Sequence, residues 1–403
     1  MKMKDSGIEW VGEIPGDWKT CKLKNIASSF SYNISLDNLV DDDTCFQVFG
    51  ASGLAGYSTN KIMDNEYLGI VKDGAGIGRI NIYPKNTSLL GTMAYILPKE
   101  KTNIIWLKYL INSLELNKSL DKTTIPHIYF SDYGNKPIPL PSLSEQQKIA
   151  TFLDKQCSEI DAVLTKTKES IEEYKLLKNA IITKAVTKGI RPNRKMKDSG
   201  NIWLGDVPSE WKIKRIKYIF RIKKDIAGKE GYTVLSITQK GIKPKDLSKN
   251  EGQIAENYSN YQLVNIGDFA MNHMDLLTGW VDISKYEGVT SPDYRVFVFQ
   301  KPKEYSKEYY LYFMQMCYTN KIFYGLGQGV SGMGRWRLQA DKFLNFTVTV
   351  PALEEQKEIA AYLDKKCSEI DKLIEKKEQL ITELETYKKS LIYEYVTGKK
   401  EVK

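Results

Sequence analysis

The chain has 403 residues, more than one ordinary domain, and 42% hydrophobic residues with 25 Tyr supply enough apolar surface for real cores, which excludes global disorder. Its 59 Lys and Arg against 50 Asp and Glu leave a net charge of +9, which permits a polyanionic partner without demanding one. The chain contains no apolar run of about 18 residues and no apolar core behind its first residues, so neither a transmembrane helix nor a secretory signal is expected, and five Cys without C-x-x-C spacing fit a reducing cytoplasm.

The chain opens on an entry motif, Met3-Lys4-Asp5-Ser6-Gly7 through Trp10, Gly12, Pro15 and Trp18. A variable stretch follows, with strand-like runs at Phe46–Phe49, Leu68–Val71 and Met93–Leu97 among glycine turns, and a short helix expected over Ile105–Leu120. From Leu143 to Thr187 the pattern becomes helical. Apolar residues recur alternately every four and three positions at Leu153, Cys157, Ile160, Leu164, Ile171, Tyr174 and Ile181, interrupted by Thr167 and Lys178. Ser144 with Gln147 offers a capping-box candidate at the start of this helix. A polar linker, Arg191-Pro192-Asn193-Arg194, ends the segment.

The same order then repeats. Met196-Lys197-Asp198-Ser199-Gly200 through Trp203, Gly205, Pro208 and Trp211 copies the entry motif at an offset of 193. A second variable stretch has strand-like runs at Thr233–Ile237 and Val296–Phe299 and a helix expected over Lys307–Thr319. The long helical segment returns from Leu353 to Thr397 at an offset of 210, without a gap. Its seam is Leu363, Cys367, Ile370, Ile374, Ile381, Leu384 and Leu391, with Lys377 and Lys388 as interruptions at the same two places. Polar residues on such a seam usually fix register at a cost in stability. A helix of roughly 44 residues at about 1.5 Å each is a rod of about 65 Å. A coiled coil between two chains would read alike, but two equivalent helices in one chain more simply pack on each other, antiparallel.

Similar frames holding different inserts suggest one scaffold job performed twice on two targets. The inserts differ in charge: 13 Lys and Arg against 11 Asp and Glu between Lys19 and Pro141, but 21 against 13 between Lys212 and Val350. A basic group with interleaved aromatics, from Lys212 to Lys229 with Tyr218 and Phe220, suits a phosphate backbone, although a solvated strand face would look similar. Glycine clusters at Gly50–Tyr57, Lys72–Arg79 and Gly325–Arg337 would let backbone approach a ligand, with Arg and Gln beside them suited to base edges; ordinary turns would look the same. Carboxylates of the entry motifs, Glu13 with Asp17 and Asp206 with Glu210, are better explained as surface turns than as a nuclease site. His127 and His273 are the only histidines, too few for a His-based metal site. Neither a P-loop nor an Asn-Pro-Pro-Tyr methyltransferase loop is present. The chain reads as a reader without chemistry of its own.

These residues resemble the specificity subunit of type I restriction–modification systems. The likeness rests on the twin entry motifs ending at Trp18 and Trp211, and on the twin helix starts Pro141-Ser142-Leu143-Ser144-Glu145-Gln146 and Pro351-Ala352-Leu353-Glu354-Glu355-Gln356. It rests further on Gly53-Leu54-Ala55-Gly56-Tyr57 and on Gly288-Val289-Thr290-Ser291-Pro292-Asp293-Tyr294. The resemblance implies an α+β fold: two target recognition domains joined by two long antiparallel helices in an intramolecular coiled coil, with a pseudo-two-fold internal repeat. The expected divisions are residues 1–141 and 191–351 (linker 191–195) for the recognition domains, and 142–190 and 352–403 for the helices. Each domain would read one half of a bipartite duplex DNA site. Two modification (methyltransferase) subunits and restriction (translocase and nuclease) subunits would dock as partners. S-adenosylmethionine, ATP and Mg²⁺ would belong to those partners, with no cofactor, metal or catalytic residue on this chain, in the cytoplasm. The alternative is a coiled-coil protein-interaction scaffold without specific DNA binding. Expected DNA contacts are Lys72, Arg79, Thr124 and His127 in the first domain, and Lys240, Asn272, His273, Gln328, Arg335 and Arg337 in the second. The 210 offset pairs His127 with Arg337.

Overall fold

A computed structural model describes residues 2–74, 76–116, 127–246, 257–329 and 336–402. The chain forms two compact units, residues 1–168 with 377–403, and residues 169–376. Each is built from an entry hairpin, a mixed sheet domain and parts of both long helices.

In the first unit the entry motif is a hairpin, β1 (Met3–Ile8) against β2 (Gly12–Pro15). Asp5 Oδ1 accepts the Gly7 N–H at 2.9 Å, and Gly7 takes φ +66, a backbone that favours glycine. β3 (Lys19–Lys22), the one-turn α1 (Leu23–Ile26) and β4 (Ala27–Phe30) follow. Next come β5 (Phe46–Gly50), β6 (Gly53–Ser58), β7 (Tyr67–Val71), β8 (Ile80–Tyr83), β9 (Ser88–Leu89) and β10 (Met93–Pro98). After α2 (Ile104–Ser113) and α3 (Phe130–Tyr133), β11 (Pro137–Leu140) returns to pair with β3. The central sheet is antiparallel, in the order β4-β10-β7-β8, and a smaller sheet has the order β6-β5-β9. The helix expected over Ile105–Leu120 stops at Ser113, because Glu115 adopts φ +44; residues 117–120 lie outside the described residues.

The second unit repeats the plan. β12 (Met196–Asp198) pairs with β13 (Asp206–Pro208), in the register of the first entry hairpin shifted by 193. β14 (Lys212–Arg215), β15 (Phe220–Lys223), β16 (Leu235–Thr238), β17 (Gly241–Pro244), β18 (Gln262–Val264), β19 (Phe269–Met271), β20 (Val281–Ile283), β21 (Gly288–Thr290) and β22 (Arg295–Phe299) precede α5 (Lys307–Thr319) and α6 (Ile322–Gly325). Then come β23 (Gln328–Gly329), β24 (Trp336–Arg337), α7 (Ala340–Asn345) and β25 (Thr347–Val350). The sheet order β15-β22-β19-β20 matches that of the first unit, and β14 pairs with β25 as β3 does with β11. The Gly288–Tyr294 motif has a packing reason: a Cβ at Gly288 would lie 2.3 Å from the Thr233 carbonyl oxygen. Behind it, buried Gln262 donates to the Ser291 and Tyr294 carbonyls at 3.0 and 2.8 Å.

The long helices are α4 (Leu143–Lys188) and α8 (Leu353–Val396). Between residues 371 and 390 the only shielded positions are 374, 377, 381, 384 and 388, the seam read from the sequence. The helices run antiparallel within each unit. In the first, Phe152 meets Tyr395 at 4.4 Å between ring centroids, and further along Lys388 clamps Asp161 with both carboxylate oxygens at 2.6 and 2.7 Å. In the second, Lys178 clamps Asp371 with both distances at 2.7 Å. The offset of 210 converts one clamp into the other. The polar interruption at Thr167 closes on its own helix instead, donating to the Val163 carbonyl at 2.7 Å. The cap of α4 is Ser142, whose Oγ accepts the Glu145 N–H at 3.2 Å. Ser144 is not used because it already lies inside the helix.

Each sheet domain is seated on its long helix by one buried glutamine. Gln146 accepts the Asn103 N–H at 2.9 Å and donates to the Pro141 carbonyl at 3.1 Å. Gln356 likewise accepts the Ser306 N–H at 2.9 Å and donates to the Pro351 carbonyl at 2.9 Å. Asn103 and Ser306 are the N-caps of α2 and α5, so the glutamine satisfies a helix-start N–H that has no partner in its own helix. Tyr109 to Asp154 and Tyr312 to Asp364 add a second matched pair of bonds. The entry-motif carboxylate Glu210 is held by Arg194, which also grips Glu355, and Trp211 Nε1 donates to Glu355 at 3.0 Å. That carboxylate is tied into the frame of the second unit.

Two outcomes follow for stability. Replacing Gln356 by Ala strands a buried N–H and a carbonyl and should cost about 1–3 kcal/mol, read by chemical denaturation. A double-mutant cycle on Lys178 and Asp371 should return a coupling below about 1 kcal/mol, because both side chains keep access to water.

Candidate nucleic-acid interface

The loop joining β7 to β8 is closed at its neck by two backbone bonds, Val71 N–H to Arg79 O and Gly78 N–H to Val71 O, both 2.9 Å. Gly74 at φ +86 and Gly78 at φ +81 make so tight a loop possible. Lys72 and Arg79 therefore stand at its two feet. Arg79 is exposed, and its Nε donates to the Gly76 carbonyl at 3.3 Å. The chain returns at His127, which bridges to Asp73, and Ile128 N–H donates to the Lys72 carbonyl at 3.0 Å. Lys72, Arg79 and His127 are thus brought together. Asp73 and Tyr129 join them, unanticipated from the sequence: Asp73 Oδ1 lies 2.6 Å from His127 Nδ1, and the exposed Tyr129 ring stacks beside His127. The aromatic residue two places after a loop histidine was the available signal. Thr124 lies outside the described residues.

In the second unit the corresponding loop joins β19 to β20. Asn272 holds it shut, its N–H donating to the Trp280 carbonyl at 2.9 Å and its Oδ1 accepting the Met274 N–H at 3.2 Å. Leu338 N–H donates to the His273 carbonyl at 2.9 Å. Ile128 and Leu338 are related by the offset of 210, so the same point of the chain closes over the same inter-strand loop in both copies. The side chains differ. His273 is 7% exposed, and burial, with Arg295 and Arg337 nearby, pushes its pKa down to about 3, so the ring is neutral. Buried Arg295 donates to the Leu338 carbonyl at 3.0 Å and lies 4.8 Å from the Phe343 ring centroid; burial pulls its pKa down to about 10.

Gln328 and Arg337 sit opposite each other on the β23–β24 ribbon, Gln328 exposed and Arg337 half-buried. Next to them Trp336 stacks on Tyr324 at 5.3 Å. A Cβ at Gly327 or Gly329 would lie 2.3 or 2.9 Å from the Trp336 ring, so these glycines are required by close packing of an aromatic on backbone. Lys240 stands at the exposed tip of the β16–β17 hairpin, which Asp282 ties to β20 by accepting the Ile242 N–H at 3.1 Å. Arg335 lies outside the described residues. The structure brings Asn272, His273, Gln328 and Arg337 together, shields His273, and carries Lys240 on a separate hairpin.

The basic group at the start of this unit divides. Lys212, Arg215, Arg221, Lys224 and Lys229 are exposed, whereas Phe220 is core and Lys223 is buried against Asp268 at 2.9 Å. A phosphate role for Lys223 is excluded by that burial. Among the described residues, no three His, Cys, Asp or Glu side chains form a metal-holding group, and no helix is long and apolar enough to cross a membrane.

The family model for the type I restriction modification DNA specificity domain matches this chain twice, over residues 15–173 and 208–386. The chain is 28% identical over 368 residues to the type I restriction enzyme MjaVIII specificity subunit of Methanocaldococcus jannaschii, covering 86% of this chain and 82% of that protein. It is 25% identical over 126 residues to the type I restriction enzyme EcoprrI specificity subunit of Escherichia coli, about 30% of each chain. A solved chain from work on complex assembly and conformational transition of the type I R-M system superposes with a TM-score of 0.67 at 14% identity, over 95% of this chain and 98% of that one. The two matched stretches take in both sheet domains and most of both long helices, and on that footing the chain belongs to the type I restriction–modification DNA specificity family, carrying its domain twice.

Proposed function

We propose that residues 1–141 and 191–351 each read one half of a bipartite duplex DNA site, and that the long helices, residues 142–190 and 352–403, set the gap between the halves. The observation that carries this reading is the pair of matched loops. The same backbone junction recurs in both copies, yet it presents Lys72, Arg79 and His127 in one and Asn272, Gln328 and Arg337 in the other. One scaffold with two chemistries suits two different base sequences. Arg and Gln offer bidentate patterns for guanine and adenine edges, while exposed Lys and Arg along β14 and β15 suit phosphates.

The chain is a specificity subunit, and catalysis resides in its partners. Two modification subunits bearing S-adenosylmethionine, and restriction subunits using ATP and Mg²⁺, are the proposed assembly. Support for docking on the helices comes from apolar side chains left outside the seam. The first unit exposes Val163 and Tyr387, and the second exposes their copies Leu373 and Leu177, each 42–53% accessible. Single exposed apolar residues are ordinary, but the pair repeated at one offset in both units supports the reading of a docking face. Free thiols at all five Cys accord with a cytoplasmic setting.

Mapping modified adenines genome-wide, with and without this gene, tests the reading: loss of a split methylation motif is expected, and an unchanged map rejects it. Arg337→Ala should cost about 1–3 kcal/mol of binding and relax selectivity at one base position, measured by competition among duplexes; equal weakening on every sequence would make it a phosphate contact. Inserting one heptad into both long helices, about 10 Å, should widen the gap by about three base pairs and leave the half-site bases unchanged.

A further inference from the structure

One contact in the first unit ties an expected base reader to a residue outside that set: the carboxylate of Asp73 lies on the ring of His127, at 2.6 Å. Backbone bonds hold both partners. Asp73 N–H donates to the Thr92 carbonyl at 3.3 Å, Ile128 N–H donates to the Lys72 carbonyl at 3.0 Å, and Asp73 and His127 face each other as a β-bridge. The ring of Tyr129 lies 6.3 Å away and 19° from parallel, which restrains the plane of the imidazole. The His127 side chain stays 45% exposed, so with Nδ1 committed to Asp73 its open nitrogen is Nε2.

A carboxylate only accepts, so the ring proton sits on Nδ1. In its neutral form the ring presents Nε2 as an acceptor. In the major groove an acceptor matches the exocyclic amino group of adenine or cytosine, and it meets lone pairs at guanine O6 and N7 or thymine O4. Lys72 and Arg79, the other charged side chains at this loop, are donors only and cannot supply that acceptor.

We propose that Asp73 is a positioning residue that fixes the tautomer of His127, so that the first unit selects an amino-bearing base, adenine or cytosine, at one position of its half-site. This rests on the DNA-reading function proposed above. Among the described residues the second unit does not repeat the device, since its histidine at the matching loop is shielded and donor-only Arg337 stands where His127 would.

The test uses the full chain, assembled with modification subunits, on a duplex library randomised across both half-sites, with bound duplexes sequenced. The unaltered chain should enrich adenine or cytosine at one position of one half. Asp73→Asn can donate to Nδ1 and move the ring proton to Nε2. The preference at that position should then fall about tenfold and shift toward guanine, with the other half-site unchanged. His127→Ala, an exposed substitution that removes the acceptor, should abolish the preference at the same position. An unchanged motif in either variant, changes spread over several positions, or uniform weakening on all sequences overturns the assignment. Enrichment of no sequence by the unaltered chain rejects the DNA-reading function and this assignment with it. An intact second half-site in the variants keeps the two failures apart.

Discussion

The structure depends on covering one apolar seam. A helix of 44 to 46 residues with a 4–3 stripe cannot leave that stripe in water, and this chain covers each half of α4 with the opposite half of α8. The burial is specific: Leu153, Cys157, Ile160 and Leu164 join one core with Leu391, Ile392 and Val396, while Ala185 and Val186 join another with Ile359 and Leu363. The Lys388–Asp161 and Lys178–Asp371 clamps add little stability for side chains so open to water. They discriminate against other registers, since a slip would leave charges facing apolar neighbours.

The same frame holds the reading surfaces. Gln146 and Gln356 each join a helix-start N–H of the sheet domain to the proline carbonyl just before the long helix, so domain and helix share a buried hydrogen-bonding group. Once this seat is fixed, the central sheet is fixed, and with it the loop between its third and fourth strands. Only then do side chains at the loop matter. The first unit offers a polar, water-accessible cluster, and the second anchors its loop with buried Arg295 and offers Gln328 and Arg337 on a short ribbon.

Much of this was legible in the chain itself. The offsets of 193 and 210 revealed the duplicated frame, and α5 spans the residues its pattern indicated, Lys307–Thr319. Strands at Phe46, Leu68 and Val296 followed from short apolar runs between glycine turns. Misreadings were local. The end of α2 turned on a positive φ at Glu115, a residue with no glycine-like signal, and Ser142 took the capping role because the helix begins before Ser144. Lys223 read as one more cation in a basic run, although a buried carboxylate 45 residues away claims it.

The sequence alone determined what repeats: two frames, two long helices, two unlike inserts and the family they resemble. These are properties of periodicity and order, which survive without coordinates because neighbouring residues carry them. The tertiary structure decided which side chains meet. Asp73 finds His127 across 54 residues, His273 is drawn under the loop while Gln328 stays out, and Arg194 bridges Glu210 and Glu355. Such pairings depend on where separate strands and helices are seated, and no local pattern encodes a distance between residues far apart in the chain.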